Sequence, residues 1–343
     1  MFTIKQSNKQ KVANYILSYV PFSLLKGMFK ITPLIGYYHL VSDKDVLHIK
    51  HLYTYKNVQQ FKDDLDFILR NFSPLSLPDF LGYLKTGQVL PDNAFLLTFD
   101  DGLREAHDII TPILLAKGLP ATFFVSSAFV DNKNLAHDHK ASLIVGRLRA
   151  SKIPSLERRI KDILQGNGQQ VSDVENCILS INYHQCEVLN EIADAIGLDY
   201  QEYLTESAPY LTTDQMEQMI RRGFTIGAHG IDHPLYSTLS LDQQLKQTEV
   251  SMKFVRERFA LNYGAFAFPH NDNGVSKDFF TEVQKNGLVD ISFGTSGILD
   301  DTRKYHFQRF SLEKPNLPAE KLLEFQIARR VYRTFTGRKQ IDR

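Results

Sequence analysis

Two adjacent carboxylates stand at the end of an apolar run, Ala94 to Gly102 (AFLLTFDDG). Apolar runs of this length, rich in Leu and Phe, are typical of a buried strand in a parallel sheet. Successive strand side chains point to opposite faces, so Asp100 and Asp101 can share one site only if the strand ends between or just after them. Gly102 supplies the freedom for that bend. Parallel strands usually carry their chemistry at this end, although the tripeptide alone fits a solvated turn and helix cap equally well.

Two histidines four residues apart, His229 and His233, directly follow a second short strand, predicted over Phe224 to Ala228. Two imidazoles and one carboxylate make a nitrogen and oxygen ligand set suited to Zn²⁺ or a similar divalent ion. The other carboxylate, if it stays off the metal, is placed to take a proton from a metal-activated water. The spacing alone is weak evidence in a chain with 11 histidines. Combined with the Asp-Asp-Gly segment, it predicts a hydrolytic metal site.

The composition describes a globular chain: it has 343 residues, 43% hydrophobic and 23% charged, enough for one large barrel-type domain or two smaller ones. A net charge of +1 gives no case for nucleic acid binding. The two cysteines make neither a disulfide framework nor a zinc site by themselves. No apolar run is long enough to span a bilayer.

Both ends of the chain are basic. We predict an amphipathic segment over residues 1–30 and a basic helix over residues 314–343. Such segments suit peripheral contact with an anionic membrane surface, and they suit packing on the protein body equally well. Asn14, Ser18 and Pro21 interrupt the apolar part of the first segment, and no small-x-small cleavage site follows. We therefore expect a cytoplasmic protein, with or without membrane association, rather than a secreted one.

Strands and helices alternate between these ends, which predicts right-handed βαβ units over residues 31–313. The stretch 131–212 differs, because it is polar and shows helical rather than strand periodicity. We predict that it is a helical insertion on the main domain. His137 and His139 lie within it, where solvated polar residues are far commoner than metal ligands.

The motifs resemble those of a known family, the polysaccharide deacetylases or NodB-homology carbohydrate esterases. Residues 98–102 (TFDDG) and 229–233 (HGIDH) resemble the first two family motifs. Residues 38–43 (YHLVSD) resemble a segment that opens many bacterial members. Residues 266–269 (FAFP) resemble the third motif, and residues 308–310 (QRF) a segment near the C-terminal end. Apart from the insertion, the resemblance extends from the first predicted strand to the end of the main domain.

The resemblance implies an α/β fold, a distorted and partly open (β/α) barrel of about seven strands. It also implies site roles. The metal, with zinc favoured, would be held by Asp101, His229 and His233. Asp100 would be the base that activates water for attack on an N-acetyl carbonyl. Substrate contacts are expected at His39, Pro269 and His270, and a backbone N–H near the last two would hold the developing oxyanion.

Several positions depart from the family pattern. Gly230 stands where Ser or Thr is usual, which removes a hydrogen bond that steadies the loop. Ala267 stands where many members carry an Arg that orients the base, and we predict that Arg309 replaces it, since a guanidinium binds a carboxylate through two hydrogen bonds. His270 stands where Tyr is common. The general acid has no clear equivalent, and His306 and His270 are its nearest candidates.

The sequence therefore predicts a metal-dependent hydrolase that removes N-acetyl groups from amino sugars of a polysaccharide, oligosaccharide or lipid-linked glycan precursor. The expected setting is surface-glycan biosynthesis on the cytoplasmic side, and the expected partner is a carbohydrate. One alternative is an O-acetyl esterase or another small-acyl deacylase, because the same metal-water chemistry serves both. A second alternative is an inactive glycan-binding protein that has lost part of the catalytic machinery.

Overall fold

The computed structural model describes Phe22 and residues 33–151, 153–337 and 340–341. Apart from Phe22, the predicted N-terminal segment 1–30 lies outside the described residues, as do the last residues of the predicted C-terminal helix.

The fold is built on parallel strands. In chain order they are β1 (Leu34–Tyr38), β2 (Ser73–Pro74), β3 (Ala94–Phe99), β4 (Thr122–Val125), β5 (Thr225–Ala228), β6 (Ala265–Ala267), β7 (Ile291–Gly294), β8 (Asp300–Asp301), β9 (His306–Gln308), β10 (Phe310–Ser311) and β11 (Gln340–Ile341). The main sheet has the spatial order β10-β1-β3-β4-β5-β6-β7-β9, and the short β2 pairs with β3. Every pairing is parallel, and the two end strands are separated in sequence by Arg309 alone.

The sheet therefore curls into a nearly closed barrel, which confirms the predicted (β/α) barrel. Its path has one strand more than the seven or so expected, because Arg309 interrupts the last predicted strand and divides it into β9 and β10. Arg309 lies at the seam between the two sheet ends, and its backbone N–H donates to the Gly294 carbonyl at the end of β7 (3.1 Å).

Helices pack against the outer face of the barrel or lie in the segment between β4 and β5. They are α1 (Val58–Asn71), α2 (Leu77–Thr86), α3 (Thr111–Lys117, after a π-helical turn at Ala106–Ile110), α4 (His137–Ser151), α5 (Pro154–Gly166), α6 (Val174–Ser180), α7 (Glu187–Ile196), α8 (Tyr200–Ser207), α9 (Thr213–Arg221), α10 (Leu241–Arg258), α11 (Lys277–Lys285) and α12 (Ala319–Phe335). Many begin at a side chain that accepts from the first turn, such as Ser240 before α10 and Thr212 before α9. The outward strand residues and the helices share one large core.

The predicted helical insertion is visible as α4 to α8, between β4 and β5. Its apolar residues, among them Ile144, Ile160 and Ile192, form a core of their own. A second cluster, which includes Leu103, Phe129 and Tyr210, joins the insertion to the rest of the chain. The insertion is thus a small helical unit held against the barrel rather than an extension of its sheet.

The last predicted helix is shorter than expected. It ends at Phe335, and β11 follows and pairs with β8, so the prediction of one helix to the chain end was wrong. Gly337 has a positive φ of 71°, which a continuing helix excludes. Lys321 pairs with Glu324, and Arg330 with Asp300, so part of the basic face is already neutralised. Among the described residues, no helix is long and apolar enough to cross a membrane.

Candidate active site

The strand alternation of β3 determines which carboxylate enters the barrel. Phe95, Leu97 and Phe99 pack in the outer core, whereas Ala94 and Leu96 pack in a second core that other strands line. Asp100 continues the inward series, and its backbone N–H still donates to Tyr38 in β1 (3.0 Å). The sequence therefore places one carboxylate inside the barrel by simple period-two geometry.

The second carboxylate reaches the same side through a change in backbone conformation. Asp101 has φ = 70° and Gly102 has φ = 65°, so the chain turns through the left-handed region at both residues. Gly102 is predicted to make this bend, but the left-handed backbone begins one residue earlier, at Asp101. Because Asp101 is not glycine, this conformation strains its backbone. A Cβ at Gly102 would lie 2.9 Å from a methyl of Val125, so space as well as φ demands glycine there.

Asp101 lies beside both predicted metal ligands of the His-x-x-x-His segment. Its Oδ1 atom is 3.5 Å from Nε2 of His229 and 3.1 Å from Nε2 of His233. All three offer ligand atoms within 4.8 Å of one another. We call Asp101, His229 and His233 the mouth cluster. Tetrahedral ligands about 2.0–2.2 Å from a zinc ion lie about 3.3–3.5 Å apart, so the spacing suits such an ion.

The hydrogen bonding of the mouth cluster also suits a bound metal ion. Oδ1 of Asp101 and Nε2 of His229 are buried and have no hydrogen-bond partner among the described residues. The other ring nitrogen of His229 lies 2.8 Å from the carbonyl oxygen of Ala267, where only a protonated Nδ1 makes a hydrogen bond. That contact leaves a lone pair on Nε2, directed at Asp101. The donor set and its tautomer therefore match what a divalent ion requires.

The loop that carries the histidines is held from outside the barrel. Gly230 has φ = 78°, which explains why glycine stands there. Gln247 on α10 takes over the steadying role: its Oε1 accepts from the Ile231 N–H (2.7 Å), and its Nε2 donates to Asp232 (2.6 Å). Tyr183 of the insertion donates to the other Asp232 oxygen (2.8 Å). These contacts are not predicted from the sequence, because Gln247 and Tyr183 lie outside the motif and no spacing connects them to it.

Asp100 makes the contact predicted for it. Arg309 donates from Nη1 to Oδ1 and from Nη2 to Oδ2, both at 2.7 Å, and both side chains are buried. The guanidinium also lies over the ring of Tyr37, 5.0 Å from its centroid. Burial would raise the pKa of Asp100, but the Arg309 guanidinium opposes this effect and the pKa stays below its ordinary value. Asp100 is therefore ionised at neutral pH.

His39, expected at the substrate, is paired with a residue that the sequence did not single out. Its Nδ1 lies 2.6 Å from Oε2 of Glu313, and its backbone N–H donates to the same carboxylate. Burial would lower the pKa of His39, but Glu313, Asp101 and further carboxylates outweigh it and raise the pKa to about 10. The ring is thus a cation near the mouth cluster, with Nε2 left for other contacts.

Pro269 and His270 lie on the loop after β6. Pro269 is buried, and His270, with φ = 57°, places its ring 4.4 Å from that of His233. The other neighbour of His270 comes from the insertion, where Asp138 Oδ2 lies 4.0 Å from His270 Nε2. Asp101, His233 and His270 are thus three left-handed, non-glycine residues at one site, which is typical of functional strain.

His306 does not join this group. It is buried at 3% exposure and bonded to Asp272 (2.9 Å) and Ser292 (2.8 Å). A general acid must reach the leaving group, so this candidate is unsuited to that role. The structure thus brings together Asp100, Asp101, His229, His233 and Arg309, and it places His39 and His270 beside them.

Comparison with known proteins identifies the family of the chain and agrees with its fold. The family model described as polysaccharide deacetylase matches residues 87–290, more than half of the chain. Among solved structures, the Streptococcus pyogenes deacetylase PplD in complex with acetate is similar at a TM-score of 0.56 and 15% identity, over 87% of this chain and 99% of that one. IcaB from Ammonifex degensii gives 0.53 and 14%, over 87% and 98%. BC0361, a polysaccharide deacetylase from Bacillus cereus, gives 0.52 and 12%, over 87% and 70%. At these identities the likeness shows the fold. No curated protein matches the sequence.

Proposed function

The chain belongs to the polysaccharide deacetylase family, and from that membership we propose a divalent metal-dependent hydrolase that removes N-acetyl groups from amino sugars. The substrate class is an N-acetylated polysaccharide, oligosaccharide or lipid-linked glycan precursor. One observation carries the proposal: two buried ligand atoms of the mouth cluster, neither of them hydrogen-bonded to a described residue, face each other beside the carboxylate that Arg309 holds.

Asp101, His229 and His233 would hold the ion, with zinc favoured by the two imidazoles and one carboxylate. When bound, the ion would lower the pKa of a water molecule and polarise the acetyl carbonyl. The protein supplies the rest. The Ala267 carbonyl fixes the tautomer of His229, and Gln247 and Tyr183 hold the loop through Asp232.

Asp100 is the proposed general base. Each carboxylate oxygen keeps a free acceptor position beyond its bond to Arg309, so Asp100 can take a proton from the attacking water. The water oxygen then bonds to the carbonyl carbon of the acetyl group. Arg309 keeps the carboxylate ionised and fixes its orientation, which is the positioning role predicted for it.

His39 is the proposed general acid, in place of His306. Its raised pKa makes it a proton donor at neutral pH, and Glu313 fixes the ring through Nδ1. When the carbon–nitrogen bond of the tetrahedral intermediate breaks, the Nε2 proton passes to the leaving amine. The products are acetate and the free amino sugar. Glu313 is a positioning residue, because it acts through His39.

Acetate release from a panel of free, oligomeric and lipid-linked N-acetylated sugars, with zinc and with chelator, tests the function. We expect release from at least one amino sugar and none with chelator. Asp100→Asn should reduce kcat by about 10²–10⁴-fold, the usual contribution of a general base, while zinc stays bound. Release from O-acetyl esters alone would select the esterase alternative. No release from any substrate, with stoichiometric zinc bound, would contradict the proposal and favour a glycan-binding protein.

A further inference from the structure

The helical insertion contributes a carboxylate to the rim of the active site. Asp138 is the second residue of α4, and its Oδ2 atom lies 4.0 Å from Nε2 of His270. The His270 ring lies 4.4 Å from that of His233, a member of the mouth cluster. One side chain of the insertion therefore lies at the edge of the mouth cluster, with its carboxylate within 4.8 Å of ligand atoms of both His270 and His233.

The Asp138 carboxylate is oriented by its neighbour in sequence. Nε2 of His137 lies 2.7 Å from Oδ1 of Asp138, which leaves the other oxygen directed at His270. The Asp138 and His270 side chains are 31% and 32% exposed, so a ligand can reach both, whereas His137 is 10% exposed. The Asp138 carboxylate and the His270 imidazole are thus both accessible to a ligand, and the less exposed His137 holds the carboxylate in place.

The insertion is held in place at the loops that carry the mouth cluster. Tyr183 donates to Asp232, between the two histidine ligands, and the backbone N–H of Leu211 donates to the Gly102 carbonyl (2.8 Å). Contacts of this kind fix Asp138 relative to the mouth cluster. A ligand that spans Asp138 and His270 would therefore be held at a defined position beside the reacting group.

A second metal ion is the less favoured occupant of this gap. Asp138, His233 and His270 do bring ligand atoms within 4.8 Å of one another. His233, however, already has its Nε2 atom 3.1 Å from Asp101 in the mouth cluster. Two donors then remain, Asp138 and His270, and zinc sites in proteins take at least three.

A hydroxyl group fits the gap. The separation of 4.0 Å is too long for a direct hydrogen bond. One hydroxyl can donate to a carboxylate at about 2.7 Å and contact an imidazole nitrogen at about 2.9 Å, which together span such a distance. Sugar rings carry hydroxyls next to their acetamido groups. We propose that Asp138 and His270 form a subsite that binds a ring hydroxyl of the amino-sugar substrate; this rests on the function proposed above.

The test compares substrates with and without hydroxyls. Asp138→Ala should raise KM for an N-acetylglucosamine tetramer by about 10–100-fold and change kcat little, because a hydrogen bond to a charged group is lost in both the ground and transition states. Hydrolysis of 4-nitrophenyl acetate, which has no sugar hydroxyl, should fall much less than the hydrolysis of the tetramer. Asp162→Asn, at an exposed carboxylate of α5, is the matched control and should leave both reactions unchanged.

Binding and metal content separate the outcomes. We expect the tetramer to bind zinc-loaded Asp100→Asn about 10–100-fold more tightly than Asp100→Asn/Asp138→Ala. Equal binding of the tetramer by these two variants would overturn the subsite and leave the proposed function intact. The same holds if Asp138→Ala loses as much 4-nitrophenyl acetate hydrolysis as tetramer hydrolysis. Two equivalents of zinc in the wild type and one in Asp138→Ala would show a cation site instead. No acetate release and no binding of any amino sugar would overturn the proposed function, and the subsite with it.

Discussion

Two of the groups of aspartates and histidines that the described residues bring together differ in how their ligand atoms are satisfied. They are the mouth cluster (Asp101, His229 and His233) and a second group that we call the β9 cluster (Asp272, Asp301 and His306). In the β9 cluster the lone pairs are taken up within the protein. Gln308 donates to Asp272 (2.7 Å) and Asp301 (3.2 Å), and both nitrogens of His306 have partners. Its side chains are at most 1% exposed.

The mouth cluster differs from the β9 cluster in the hydrogen bonding of its ligand atoms. Two of its ligand atoms are buried without a hydrogen bond to any residue that the structure describes, and an unsatisfied buried polar group costs about 1–3 kcal/mol. Asp101 and His233 add strained backbone. An unpartnered atom alone does not make a site, since His48 Nε2 also has no partner among the described residues. Such atoms indicate a bound ligand when several of them point at one position. Both clusters consist of Asp and His, so the residue types alone do not show which cluster binds a ligand.

Removing one histidine from each cluster gives the largest expected contrast. His229→Ala should weaken zinc binding by more than about a hundredfold, because even supporting residues around metal ligands contribute about 10–100-fold. Acetate release should fall with it. His306→Ala is the matched control: it should keep one zinc per chain but unfold at lower temperature, since Asp272 and Asp301 lose a buried partner.

Elemental analysis after dialysis and a thermal melt of the metal-free proteins measure this contrast. The comparison fails if His306→Ala loses its zinc while His229→Ala keeps it. It also fails if both variants lose zinc equally while both stay folded.

His39 and Glu313 are intermediate between the two clusters, because Nδ1 of His39 is paired with Glu313 and Nε2 has no hydrogen bond to a described residue. His39→Asn should lower kcat by about 10²-fold through the lost general acid, with zinc content unchanged. Glu313→Gln should act more weakly and should lower the pKa of the alkaline limb of the kcat profile, since that carboxylate raises the His39 pKa. A pH profile that is identical in wild type and Glu313→Gln would contradict the assignment.

The site residues at the strand ends could be predicted from the sequence, whereas the residues that surround and support them could not. The run to Asp100 and the His-x-x-x-His segment follow from local periodicity, so the barrel and the mouth cluster could be predicted. The bidentate pair of Arg309 with Asp100 could be predicted too, because a buried carboxylate needs a cation and the resemblance pointed to a missing one.

Long-range partners could not be predicted in the same way. Glu313, Gln247 and Asp138 reach the site from a strand end, a helix face and the insertion, and no spacing in the sequence connects them to the motifs. His306 was a reasonable candidate for the acid by type, but the burial that gives it partners in the β9 cluster depends on tertiary packing. The length of the last helix also escaped prediction, since β11 pairs with distant β8.

The smallest effect at neutral pH is expected from a buried pair of imidazoles, His48 and His139, where the insertion meets the barrel. Their rings are 5.0 Å apart, both are buried, and Tyr210 lies 2.6 Å from Nδ1 of His139. Burial lowers the pKa of His139 to about 4 and that of His48 well below its ordinary value. A depressed pKa means that the folded state binds the proton less readily than the unfolded chain, so the stabilisation is complete above about pH 6.5 and is lost towards pH 4. For His139 the loss is on the order of 3 kcal/mol of unfolding free energy.

Urea unfolding of the chelated, metal-free protein between pH 7 and pH 4 should therefore show a shallower pH dependence in His139→Phe than in the wild type, whatever the absolute stability of the variant. His184→Gln, at an exposed histidine of the same insertion, is the control and should keep the wild-type slope. Working without metal matters, because protonation of the mouth cluster would otherwise release zinc in the same range and add its own slope. If His139→Phe keeps the full pH dependence, then His139 is not a buried neutral imidazole in the folded protein.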